Sequence, residues 1–190
     1  MIKRIFWDVL IDSNSYRVFT TGWDVKKMRE FYENIKSGEP LGERWATIQL
    51  VLWIDPDHPK REQKKPVADF MSAGIMNVIS NRARFTLEPL IASQVEFLPF
   101  ETPVGPYYGL HIKYVDCLDT SRIEAKYFGD GRIMRVLKYA FYWERLEGIH
   151  IFRLPELGLS RLFVSDEFKR VVEENGLTGL LFYPVPLVVK

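Results

Sequence analysis

The chain has 190 residues, 47% hydrophobic and 27% charged, with 13 Phe, 9 Tyr and 5 Trp, which excludes a disordered tail, a collagen-like repeat and a coiled-coil rod and leaves one compact domain or two small ones. Its formal net charge of +1, from 26 basic and 25 acidic side chains, excludes a nucleic-acid binder held mainly by phosphates and an acidic decoy. A single cysteine, Cys117, excludes an intramolecular disulfide and an all-cysteine metal site and fits a reducing cytoplasm.

Met1-Ile2-Lys3-Arg4 imitates the positive start of a secretion signal, but Asp8 and Asp12 break the apolar run behind it. Elsewhere prolines or charges interrupt every uncharged stretch before the roughly 20 apolar residues of a membrane helix, so the protein is expected in the cytoplasm, off the membrane. Residues 3–11 and 16–20, rich in Ile, Phe, Trp, Tyr and Val and joined by Asp12-Ser13-Asn14-Ser15, predict a hairpin. From Asp24, a capping residue, Val25, Met28, Phe31, Tyr32 and Ile35 recur at helical spacing until Gly38 and Pro40 close the segment. Ile48 to Ile54 predicts an apolar strand inside a sheet. Residues 55–66 hold three prolines, His58 and four Lys or Arg side chains, the composition of a solvated loop or linker. The expected division is thus an N-terminal extension or subdomain at 1–54, the charged Pro-rich loop at 55–66, and a main body at 67–190.

Within the main body an internal repeat recurs at one fixed offset. Ile75 to Ser80 leads into a helical stretch and then Val95 to Phe100; Ser160 to Ser165 leads into another and then Leu180 to Val185, aligning Ser80 with Ser165, Phe97 with Phe182 and Pro99 with Pro184 without a gap. In each copy a short strand ends at a serine whose hydroxyl can cap the helix. Asp166 and Glu167 then suit the positive end of the second helix, and Phe168, Val171 and Val172 form its apolar stripe. Between the copies, Tyr107 to Val115, Ile133 to Trp143 and Ile149 to Leu154 carry strand composition. In the first of these Tyr108, Leu110, Ile112 and Tyr114 alternate with Gly109, His111 and Lys113, a second face expected to meet solvent or a partner. Residues 116–121 and 128–132 are turn chemistry. The fold class is α+β: a mixed or largely antiparallel sheet, two similar strand–helix–strand units, and an N-terminal hairpin-plus-helix extension.

The sequence has no metalloprotease, nucleophile-elbow, phosphate-loop or dinucleotide motif. His111 and Cys117, with Asp116 or Asp119 as orienter, are the raw material of a small hydrolase or transferase; a buried apolar Cys117 and a sheet-face His111 explain the same residues. Asp116, Asp119 and Glu124 supply oxygen ligands without the ladder of a calcium loop. Lys60, Arg61, Lys64 and Lys65, with Arg82, Arg84 and the Tyr107 strand, are what a weak nucleic-acid-binding adaptor would use, set against Asp55, Asp57 and Glu62 in the same loop. His58 and His150 have no partner at metal-ligand spacing.

Blocks at Gln94 to Pro99, Tyr107-Tyr108, Val115 to Asp119, Ile151 to Leu154, Leu162 to Phe168 and Gly176 to Leu180 follow one another in an order that resembles the myxobacterial-type immunity proteins of bacterial polymorphic toxin systems, over roughly residues 66 to 186. Leu118-Asp119-Thr120-Ser121 fits the family pattern, and Cys117 stands where a small residue is usual. The resemblance implies a protein without catalytic residues or cofactor that binds a cognate toxin encoded by a neighbouring gene, through an interface of aromatic and arginine anchors within a polar rim. It implies no nucleic-acid or membrane partner and leaves monomer and homodimer open. Trp23, Trp45, Trp143 and Arg153 are the candidate partner-binding anchors, with core packing the competing explanation for each tryptophan.

Overall fold

The repeat offset is built into the strand pairing. The computed structural model describes residues 5–188. Its strands are β1 (Phe6–Ile11), β2 (Phe19–Thr20), β3 (Ile48–Gln49), β4 (Val51–Leu52), β5 (Phe70–Ala73), β6 (Met76–Ser80), β7 (Val95–Glu101), β8 (Tyr107–Ile112), β9 (Glu124–Tyr127), β10 (Ile133–Lys138), β11 (Ile151–Phe152), β12 (Phe163–Ser165) and β13 (Leu180–Pro184). Its α-helices are α1 (Val25–Ile35), α2 (Pro59–Lys64), α3 (Asn81–Ile91) and α4 (Asp166–Glu174).

β6 and β7 flank β8, which runs antiparallel to both, so Val78 and Leu98 share the partner Gly109. β12 and β13 flank β1 in the same way, and Phe163 and Tyr183 share Asp8. The offset that carries Ser80 onto Ser165 also carries Val78 onto Phe163 and Leu98 onto Tyr183. The two expected strand–helix–strand units are therefore present, each split by an inserted antiparallel strand. Parallel strands need a crossover, supplied by α3 in one unit and α4 in the other. Each helix starts on the expected serine: Ser80 Oγ accepts from the Ala83 amide and Ser165 Oγ from the Phe168 amide, both at 3.1 Å. β5 extends the first unit through Phe70 opposite Ile79, and β11 the second through Ile151 opposite Val164. The helices meet in a shared core where Leu87 and Ile91 pack with Phe168, Val172 and the sheet residues Val9, Phe70, Leu110 and Val164.

The first unit belongs to a seven-stranded mixed sheet ordered β3-β7-β8-β6-β5-β2-β4, the second to an antiparallel sheet ordered β11-β12-β1-β13. The α+β class holds. β3 and β4 stand at opposite ends of the larger sheet, yet only Leu50 separates them in the chain. Residues 48–52 therefore join the two edges and close the sheet into a ring. The strand expected over 48–54 is two short pieces, because it turns from β7 to β2 about Leu50. Leu50, Met71, Met76, Val78, Leu98 and Phe100 fill the ring, and Phe31 and Ile35 of α1 join them.

Further expectations change. Residues 5–11 and 16–20 do not form the expected hairpin, whose residues 3 and 4 lie outside the described residues: β1 pairs with β12 and β13, and β2 with β4 and β5. The turn chemistry is real, since Asp12 Oδ1 accepts the Ser15 amide at 3.0 Å. Strand β1, however, has apolar side chains on both faces, with Phe6 in one core and Val9 in another, so it is held centrally between two strands rather than on one. The Gly109/His111 face of β8 likewise does not meet solvent; it lines the ring. A Cβ at Gly109 would overlap Met76 Sδ and the Phe100 ring, which is why glycine stands there.

A third core lies on the other side of the β1 sheet, where Phe6, Phe152 and Phe163 meet Cys117, Leu118, Tyr139, Phe141 and Val185. The expected strand 133–143 stops at Lys138, with Tyr139 and Phe141 continuing as isolated bridges to Leu187 and Leu118. Within the Pro-rich stretch, α2 buries Glu62, which pairs with Lys65 at 2.7 Å, and Lys65 Nζ also reaches the Ser13 carbonyl at 3.0 Å. Among the described residues, no helix is long and apolar enough to cross a membrane.

Candidate partner-binding site

A concavity of about 800 Å³ lies between α1 and residues 41–49. Helix α1 is amphipathic: Asp24 Oδ1 caps it by accepting the Lys27 amide at 2.8 Å, Phe31 and Ile35 face inward, and the charged side chains face out. After the helix, Gly38 takes a positive φ of +71° where a Cβ would press on the Tyr114 ring. The chain then returns along the mouth of the ring.

Glu96 fixes that return. Its carboxylate accepts the Leu41 and Gly42 amides at 2.8 and 2.7 Å and faces His111 Nδ1 at 3.0 Å. His111 Nε2 lies 3.3 Å from the Ile35 carbonyl, so the imidazole ties the end of α1 to the strand floor. Burial raises the Glu96 carboxyl pKa, but the bonds from His111, Leu41 and Gly42 outweigh it and hold the group below its ordinary value. Trp45 is anchored by its indole N–H on the Pro99 carbonyl at 3.0 Å and packs edge-on against Phe100 at 5.2 Å. Phe31 bridges Trp45 to Trp23, at 6.1 and 5.6 Å between ring centres, and Lys27 Nζ sits 4.5 Å over Trp23. The cleft therefore has an aromatic wall and a polar rim of Lys27, Glu30, Asn34 and Arg44. Arg44 donates to the Pro40 and Leu41 carbonyls; among the described residues, neither Lys27 nor Arg44 has a carboxylate partner.

Trp23 and Trp45, two of the four candidate anchors, thus share one cleft. Trp143 lies elsewhere, half-buried and stacked on Phe6 at 6.1 Å. Arg153 is only 4% exposed: it donates to the Leu159 and Arg161 carbonyls and so clamps the turn at Pro155–Ser160, and burial brings its guanidinium pKa down to about 10. A partner reaches it only if that turn moves.

The structure does not bring His111 and Cys117 together. His111 is buried on β8 between Glu96 and the end of α1, whereas Cys117 is buried in the third core, where desolvation pushes its thiol pKa up to about 12. Asp116 pairs with Arg145, Asp119 accepts from the Ser121 amide and hydroxyl, and Glu124 pairs with Lys138. Among the described residues, no group of three or more His, Cys, Asp or Glu side chains could hold a metal ion. The basic residues set out for a nucleic-acid adaptor are partly occupied within the fold: Lys65 by Glu62, Arg82 by Asp69, and Arg84 by Glu88 and the Tyr108 face. His58 pairs with Asp55 at 3.3 Å, and His150 Nδ1 lies 2.9 Å from Ser165 Oγ. Glu96 escaped the sequence reading; the available signal was its register opposite His111 across β7 and β8. The cleft presents an aromatic wall for apolar contact, with cations and amide groups at its rim.

No curated protein matches the chain. The sequence profile described as Immunity protein family (Imm11) matches residues 51–186, a segment that includes both split units except β1. The chain belongs to this immunity protein family.

Proposed function

We propose that the chain protects its cell by binding the toxin encoded by a neighbouring gene in a stoichiometric, non-catalytic complex in the cytoplasm. The family match over residues 51–186 carries this reading. The cleft supplies a receiving surface. It is built from residues 21–49, ahead of the matched segment, so contacts there belong to this chain's own partner rather than to the family at large. Trp23 and Trp45 act as the anchors, with Lys27 and Arg44 meeting carboxylates of the toxin. A specific complex of this kind covers about 800 Å² on each partner, more than the cleft alone, so neighbouring surface takes part. Net charge near zero argues against inhibition by mimicry of a nucleic acid.

Co-expression is the test. The neighbouring toxin should arrest growth alone, and this chain should restore growth and co-purify with the toxin at a fixed ratio. Replacing Trp23 and Trp45 together by Ala should weaken both effects while the protein still folds. A toxin that kills regardless of this chain, or protection without any complex, overturns the reading.

A further inference from the structure

We infer that the β9–β10 hairpin is a second docking element, fitted to an acidic, apolar-flanked face of the toxin; this inference rests on the immunity reading above. The inner face of the hairpin is accounted for by the third core, where Val136 is buried and Ile133 packs against it. On its outer face the register sets Arg135 directly opposite Lys126, both exposed. Like charges facing each other across two strands destabilise a hairpin, and no carboxylate among the described residues pairs with either. Glu124, on the same face, is taken by Lys138 at 2.8 Å, and Asp130 at the tip is taken by Arg132.

Beside this uncompensated pair stand Met134 and Leu137, 51% and 40% exposed, and towards the hairpin tip Tyr127, opposite Ile133, and Phe128, under the Arg132 guanidinium, are 51% and 46% exposed. Met134 and Leu137 fall where the register between β9 and β10 shifts, and such irregularities re-aim side chains. Two cations among four large apolar side chains complement a protein surface with one or two carboxylates set in apolar ground. They are a poor match for nucleic acid: two unpaired charges cannot track a phosphate chain, and two of the four apolar groups are not stacking platforms. The toxin's carboxylate settles between Lys126 and Arg135, relieving a repulsion that the free protein carries.

The arrangement separates a docking role from a structural one, because stability and binding should respond in opposite directions. Arg135→Glu places an acid opposite Lys126, so the free variant should melt at the same temperature as the parent or higher. The same variant should bind the neighbouring toxin about tenfold more weakly or worse and lose most of the salt dependence of association. Met134→Ser with Leu137→Ser should weaken binding without altering that salt dependence. Full-length protein and an inactivated form of the toxin, titrated at low and high salt, give all these quantities. Parental affinity in Arg135→Glu overturns the hairpin's role and leaves the immunity reading standing. If the parent binds a random-sequence oligonucleotide and Arg135→Glu abolishes that binding, the face is a polyanion site and the inference fails. Concentration-dependent self-association that Met134→Ser removes assigns the face to a second copy and likewise overturns it. No complex between the parent and the toxin overturns both proposals together.

Discussion

Arg84 and Lys169 occupy equivalent positions in the two repeat units and do the same thing. The Arg84 guanidinium lies 4.4 Å over Tyr108 and 5.4 Å over Phe97, and the Lys169 ammonium lies 4.7 Å over Trp7 and 5.7 Å over Phe182. Each cation also pairs with the glutamate one helical turn on, Glu88 at 3.2 Å and Glu173 at 2.7 Å. Phe97 and Phe182 are themselves equivalent in the repeat, while Tyr108 and Trp7 come from the inserted strands β8 and β1. One packing solution, a helix cation over a pair of strand aromatics, fixes both helices to their sheets. Replacing either cation by Met keeps the packing volume and removes the charge, a loss of about 0.5–1 kcal/mol at such sites. The two are not equal, however. Arg84 Nε is buried without a hydrogen-bond partner, so Arg84→Met also removes an unsatisfied group. Urea denaturation should show Lys169→Met as the more destabilised variant; the reverse order would contradict the packing described.

Asp69 is the joint between the two units. Its carboxylate accepts the Ser80 hydroxyl at 2.7 Å, the Thr178 amide at 3.0 Å and two bonds from Arg82, and Arg82 in turn donates to the Asn175 and Gly176 carbonyls at the end of α4. Burial raises the Asp69 carboxyl, but the bonds from Arg82, Ser80 and Thr178 prevail and leave its pKa below the ordinary 3.8. The sign follows from proton linkage: the unfolded chain binds the proton more readily, so this contribution to stability is present above about 3.8 and is lost as pH falls through the lower folded value. Asp69→Asn should destabilise by about 2–3 kcal/mol near neutral pH, because buried donors lose their charged acceptor. It should also flatten the acid limb of the stability curve. Thermal melts from neutral pH downward check both; an unchanged acid slope would mean that other carboxylates dominate it.

Cys117 separates the inhibitory reading from the enzymatic one. With the side chain buried in the third core and its thiol pKa pushed up to about 12, the thiolate needed for nucleophilic attack is scarce at neutral pH. In the folded protein the thiol should resist alkylation and react only after unfolding. Cys117→Ala should lower stability by about 1 kcal/mol through a small cavity and leave toxin protection intact. Loss of protection in a folded Cys117→Ala protein would require a catalytic or contact role that the core position does not explain.

These sites differ in how far the sequence announced them. The repeat was legible because a capping serine, an aromatic and a proline recur at one fixed offset, and local chemistry dictates all three. Ring closure was not, since the pairing of residues 48–52 depends on Phe19 and Phe100, far away in the chain. The turn at 12–15 was read correctly, but a turn fixes only its own geometry and not which strand each arm joins. The Gly109/His111 face looked solvent-facing because glycine and histidine are polar or small; the neighbours that make them an interior, Met76 and Phe100 for Gly109 and Glu96 for His111, come from other strands. For the same reason composition could propose Trp23, Trp45, Trp143 and Arg153 without showing that the first two share a cleft or that Arg153 is shut behind a turn.

Glu96 makes the cleft itself titratable. Because its folded pKa lies below the ordinary 4.5, the stability it contributes is present above that value and declines as pH falls through the folded pKa. Protonation weakens its hold on the Leu41 and Gly42 amides, and the segment carrying Trp45 loosens before the distant cores respond. Tryptophan fluorescence should therefore change at acidic pH ahead of the loss of far-ultraviolet circular dichroism. Glu96→Gln should reproduce part of that change at neutral pH, with a stability loss of about 1–2 kcal/mol from the exchange of a charged for a neutral acceptor. Trp45→Phe should remove most of the early signal while Trp143→Phe, at the third core, should leave it. If both signals fall together in the parent protein and Glu96→Gln behaves like the parent, Glu96 does not hold the cleft closed.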